Sequence, residues 1–120
     1  MVVRFWSART TEVRYPEYLR HFRENVLPIL RAKEGFLEAR VLTQSDGVVV
    51  HFVVETLWES LESIERFTGP DLEAAVVADE ALRLLTSYDH RVQHYEVTLR
   101  EKHREAATAS SSRPASAGPS

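Results

Sequence analysis

Five histidines and a scatter of carboxylates are the side chains of this 120-residue sequence that could ligate a metal, and their spacing does not gather them. His90 and His94 make a ligand pair if they lie on a helix, but on a strand the same spacing sets them roughly 13 Å apart. His21 reads as an exposed helix residue, His51 as a strand residue, His94 as part of a sheet face and His103 as part of a tail. There is no cysteine, hence no thiolate site and no disulfide framework. Glu17, Glu24, Glu59, Glu62, Glu65 and Glu73 fall where solvated helix faces are expected, and no nucleophile stands with a base and an orienting acid. The four glycines are too scattered for a phosphate loop. Neither a metal nor a nucleotide cofactor is expected. What remains is aromatic. Phe5, Ser7, Phe52 and Trp58 on strands, with Phe22 and Phe67 on helices and Tyr88 nearby, could enclose an apolar ring. Trp58 fits a pocket wall and a core plug equally well.

The elements that would position this set are marked by one abrupt change of hydrophobic period. Val48 to Trp58 is β-branched and aromatic almost throughout, as in a strand covered on both faces. Ser60 then offers a helix cap, and Leu61, Ile64 and Phe67 follow at helical spacing. Upstream, Val2 to Thr10 is a first strand. Pro16 opens a first helix carrying Tyr18, Leu19, Phe22, Val26, Ile29 and Leu30, which Pro28 should kink and Gly35 should end. Phe36 to Gln44 alternates as a second strand, with Leu37, Ala39, Val41 and Thr43 on one face, and Ser45-Asp46-Gly47 turns it into the third. After Gly69-Pro70, Asp71 could cap a helix carrying Leu72, Ala75 and Val76, a short helix could span residues 79–86, and Arg91 to Leu99 closes as a strand. The order βαββαβ predicts an α+β, ferredoxin-like fold with a four-stranded antiparallel sheet. The domain should span residues 1–100. Residues 101–120, rich in Ala, Ser, Thr, Pro and Gly beyond Glu105, should form a disordered tail.

A net charge of -3 with singly scattered basic residues argues against nucleic acid. No apolar run reaches membrane-spanning length, and the first residues lack the order of a signal peptide, so a cytoplasmic protein is expected. Helices on one side of the sheet leave the other side bare. Trp6, Leu42, Val49, Val53, Leu57 and Val92, mixed with Arg4, Arg40, His51, Glu55, His94 and Glu96, are assigned to it, and a homodimer through this sheet face is the natural way to cover it.

Thr56-Leu57-Trp58-Glu59-Ser60 after the third strand, Ile64 and Phe67 behind it, and the closing His94-Tyr95-Glu96-Val97 resemble the antibiotic biosynthesis monooxygenase group of dimeric α+β barrels over residues 1–99. The resemblance implies a homodimer with a pocket between sheet and helices in each subunit. It implies a cofactor-independent monooxygenase acting on a small aromatic quinol or phenol, in which Ser7 would bond the substrate oxygen, Arg9 or His21 would favour its anion, and Trp58 would stack on its ring. Haem-degrading members use an Asn, a Trp and an axial His. Aligned through Trp58 and Asp71, those places hold Ser7, Phe67 and Val77, which match none of the three. Two alternatives stand beside the monooxygenase: a non-catalytic dimeric module binding a small apolar metabolite, and a haem-handling protein with altered ligands.

Overall fold

The computed structural model describes residues 1–103. The tail expected after Glu105 lies outside them, as does most of the segment 101–120. Four long elements and several short ones follow in the order β1 (Val2–Thr11), α1 (Tyr15–His21), α2 (Leu27–Arg31), β2 (Phe36–Ser45), β3 (Val49–Trp58), α3 (Leu61–Thr68), α4 (Asp79–Leu82), β4 (Ser87–Tyr88) and β5 (Gln93–Glu96). All pairings are antiparallel, in the order β2-β3-β1-β4, with β5 on the same edge of β1 as β4. The fold is the ferredoxin-like α+β arrangement. Its fourth strand is split into Ser87–Tyr88 and Gln93–Glu96, whereas the sequence pattern suggested a single strand from Arg91 to Leu99.

The first helix does not kink at Pro28 so much as change its winding. Pro28 has no N–H for the Glu24 carbonyl, and the preceding turn, Phe22–Val26, is a π-helix in which the Leu27 N–H reaches the Phe22 carbonyl. At the other end of β3, Ser60 accepts from the Ser63 N–H while Ser63 Oγ accepts from the Ser60 N–H, so each serine satisfies a donor the helix start would leave open. Gly35, at φ 91°, lies directly beneath Ser63, and a Cβ there would overlap the Ser63 side chain. In the β2–β3 turn, Asp46 Oδ1 accepts from the Val48 and Val49 N–H groups, which holds its carboxyl below the usual range.

The register decides which face each side chain joins. Val2, Arg4, Trp6, Ala8 and Thr10 of β1 stand opposite Trp58, Thr56, Val54, Phe52 and Val50 of β3, and these even-numbered residues face the helices. Their core partners are Tyr18, Phe22, Leu30, Ile64 and Ala81. Arg4, Trp6, Val92, His94 and Glu96 are therefore not on the bare face as expected, and Phe5 and Ser7 are not on the helix side. A one-residue slip reverses every side chain in a strand, and β1 carries large residues on both parities. The bare face instead presents Val3, Phe5, Leu42, Val53, Leu57 and Tyr95 with Arg40, His51 and Glu55, and Arg40 pairs with Glu55 at 2.8 Å. In β2 a bulge between Phe36 and Glu38 shifts Leu37 outward. No helix begins at Asp71. Residues 69–78 form an irregular strap joined to the Asp89–Val92 break by the Ala74–Arg91 bridge and by bonds from the Ala75 N–H to the His90 carbonyl and the Val92 N–H to the Glu73 carbonyl. Asp71 is engaged by Arg91, which holds its carboxyl down, and the helix after the strap spans Asp79–Leu82 alone.

Candidate functional site

Between sheet and helices lies a cavity of about 80 Å3. Arg4 and Trp6 of β1 and Val54 and Thr56 of β3 form its floor; Tyr18, His21, Phe22, Val26 and Leu30 form one wall, and Phe67 with Val76, Val77 and Ala78 of the strap another. The π-turn helps here, because His21, Phe22 and Val26 all reach the wall from consecutive turns. Of the residues expected to bind a ring, Phe22 and Phe67 line the cavity. Trp58 and Phe52 do not. Both are fully buried one layer behind it. Trp58 stacks on Phe67 at 5.6 Å, meets the edge of Phe36 at 5.4 Å and donates from Nε1 to Thr56 Oγ1 at 2.8 Å, so it is a plug that backs two cavity residues. Phe52 packs under Tyr18 and Trp6. Phe5 and Ser7 are on the far side of the sheet: Phe5 packs on Tyr95, and Ser7 Oγ donates to Asp89 Oδ2 at 2.8 Å. Arg9 is exposed and bonds Ser87, and Tyr88 packs on Trp6 and His90 outside the cavity.

The polar groups of the site are ones that spacing alone did not single out. His21, expected exposed, is buried. Its Nδ1 lies 3.0 Å from Asn25 Nδ2, one turn on, and 3.8 Å from Glu80 Oε1 of α4. The same imidazole also borders an open surface groove lined by Glu17, Arg20, Glu24, Glu80 and Arg83, so it stands between the cavity and solvent. Tyr18 is buried beside it, and burial raises its hydroxyl well above the usual phenol range, keeping it a neutral donor. Arg4 is buried too. Its Nη1 donates to the Leu72 carbonyl at 2.7 Å, its Nη2 to the Ala74 carbonyl at 2.8 Å, and Nη1 lies 3.4 Å from His94 Nε2. Burial lowers the guanidinium to about 10, so it remains charged at neutral pH. Burial, then the Arg4 charge, holds the His94 ring below its ordinary value, consistent with an unprotonated Nε2 facing the arginine. An i,i+4 His–Asn pair was the available signal for His21. Arg4 could be found only once the parity of β1 was known.

No protein-family model matches the chain, and no curated protein does. Among solved structures, a candidate antibiotic biosynthesis monooxygenase of Bacillus cereus superposes over 88% of this chain and 98% of its own, with a TM-score of 0.64 and 18% identity. The haem degrader MhuD of Mycobacterium tuberculosis, with two haems bound in its active site, matches over 85% of this chain and all of its own, at TM-score 0.57 and 25% identity. A mutant of MhuD with two manganese protoporphyrins per active site gives 0.61 and 26% over 86% of this chain and all of its own. The likeness read from the sequence thus holds: the chain has the antibiotic biosynthesis monooxygenase fold.

Proposed function

We propose that this protein is a cofactor-independent monooxygenase acting on a small, single-ring quinol or phenol. The observation that carries the reading is His21: a buried imidazole in an otherwise largely aromatic and aliphatic wall, with Asn25 and Glu80 at its Nδ1 and an open groove beyond it. Turning the Asn25 amide over puts Oδ1 on an Nδ1–H and frees Nε2 to accept a proton, at no change in shape. Glu80 Oε1 stands 3.8 Å from the same Nδ1. A phenol that gives its proton to Nε2 becomes the electron-rich phenolate, which can reduce dioxygen itself. One oxygen atom enters the ring, the other leaves as water, and the ring loses the electrons as phenol becomes quinone. Trp6, Tyr18, Phe22 and Phe67 hold the ring and keep water out.

Size selects the substrate class. An engineered cavity of about 150 Å3 takes one benzene, so about 80 Å3 excludes a polycycle, and a single ring enters once side chains of the strap give way. A porphyrin fits less well still. Val77, the residue aligned with the axial histidine of haem degraders, is a wall residue here and carries no ligating atom, whereas haem iron is held by axial side chains. The haem degraders' ligand is thus absent at its aligned position.

The bare sheet face supports the homodimer, since Phe5, Leu42, Val53, Leu57 and Tyr95 form a half-exposed apolar patch that a second copy would cover. Sedimentation equilibrium at micromolar concentration should give twice the chain mass. Oxygen uptake tests the chemistry: single-ring quinols should be consumed with one dioxygen per ring, and His21→Gln should slow this by about 10²- to 10⁴-fold. No uptake with any quinol, or an unchanged rate in the variant, would end the reading, and binding without uptake would favour the non-catalytic module. Absence of a Soret band on haem titration would close the haem alternative.

A further inference from the structure

The proposed oxidation makes no use of the charge on Arg4. That charge sits in the cavity wall at 6% exposure and has no carboxylate within ion-pair distance among the described residues. Asp71 and Glu73, the acids of the strap to which Arg4 is bonded, are both engaged by Arg91, at 2.9 and 3.3 Å. Two backbone carbonyls, an imidazole nitrogen and the Phe67 ring at 5.8 Å are what Arg4 has instead. Those groups are dipoles or quadrupoles and leave a full positive charge in a poorly solvated wall, whereas buried charges are ordinarily paired. Arg4 Nε–H, moreover, makes no hydrogen bond among the described residues. Tying down the strap would need only neutral donors.

We propose that the ligand supplies the missing anion: a carboxylate on the aromatic ring pairs with Arg4, so the substrate class is the hydroxylated single-ring aromatic acids. The hydroxyl half of this statement rests on the phenol-oxidation reading, and the carboxylate half stands on Arg4 alone. One cation in the wall balances one negative charge, which suits a carboxylate better than a phosphate dianion. The ring then lies between Arg4 at the strap side and His21 at the groove side, with Phe22 and Phe67 against it.

Calorimetric titration of the wild-type protein with 4-hydroxybenzoate, its methyl ester, phenol and benzoate tests this without any variant. The two acids should bind about 10- to 100-fold more tightly than the ester and phenol, the range expected for a charge-assisted hydrogen bond. Equal affinity of acid and ester would overturn the proposal while leaving phenol oxidation intact. Tight benzoate binding with no oxygen uptake on any phenol would uphold it and remove the oxidation reading. If none of the four binds, both fall. Arg4→Gln, shown folded by circular dichroism, should lose the preference for the acids. If that variant does not fold, Arg4→Lys, which keeps the charge but not the fork, should reduce the preference, and an unaltered preference in either variant would refute the role of Arg4.

Discussion

Replacing Trp58 separates its two possible roles by magnitude. The indole is fully buried between Phe36 and Phe67, pairs with Thr56 through Nε1, and stands opposite Val2 and Phe36 on the flanking strands. Trp58→Ala removes this plug and leaves a void that the strands on either side cannot fill, because both are held in register with β3 over most of its length. The expected cost is about 3 to 5 kcal/mol, which for a domain near 100 residues lowers the melting temperature by roughly 12 to 40 °C. Trp58→Phe keeps the stacking on Phe67 and gives up one ring and one hydrogen bond, so its cost should be smaller, roughly 1 to 3 kcal/mol. Equilibrium urea unfolding measures both. Because Trp58 does not line the cavity, the folded Trp58→Phe protein should bind small aromatics with affinity within about threefold of wild type, a difference below 1 kcal/mol. A Trp58→Ala protein less than about 1 kcal/mol below wild type, or a stable Trp58→Phe protein that has lost ligand binding, would refute the assignment of Trp58 as a plug.

Fluorescence gives an independent view of the same geometry. Ligand binding should perturb the emission of Trp6, which lines the cavity, so the change should vanish in Trp6→Phe and survive in Trp58→Phe; the opposite pattern would contradict the register of β1. Gly35→Ala must place a Cβ on Ser63 at a backbone angle that L residues avoid, and should cost roughly 1 to 3 kcal/mol in urea unfolding. His94 should titrate below 6.5 by NMR, since burial and then Arg4 depress it. The fold favours its neutral form, so this contribution to stability is complete above about pH 6.5 and lost as the pH falls through the lower folded value. A midpoint above 6.5 would show that His94 faces a carboxylate rather than Arg4.

The architecture was legible because its signals are local. The β-branched run into Trp58, the Ser60 cap, Pro16 and the Asp46-Gly47 turn each specify their own few residues, and all four stand where the sequence placed them. The strap was not legible for the opposite reason: Asp71 and Leu72 look like a helix start, but their groups are claimed by Arg91 of the β4–β5 break and Arg4 of β1, both distant in sequence. The site was half legible. Phe22 and Phe67 lie on helices whose amphipathic period fixes the inward face, and both line the cavity. β1 offers Phe5 on one parity and Trp6 on the other, and only pairing with β3 chooses between them. His21 was expected exposed because a lone helical histidine is usually solvated, whereas α4 folds over this one.

Because β1 contributes Arg4 and Trp6 to the cavity and Val3 and Phe5 to the opposite surface, ten residues of one strand serve two unrelated purposes by strict alternation. The two surfaces can therefore be altered separately by substitution, parity deciding which one is touched. They cannot be altered separately by a change of length. One residue inserted or deleted between Val2 and Trp6 would present Phe5 to the cavity or drive the Arg4 charge onto the bare face, exchanging a binding site and a surface patch in a single step. Variation in this strand should consequently be confined to replacement, with length changes accommodated beyond its ends.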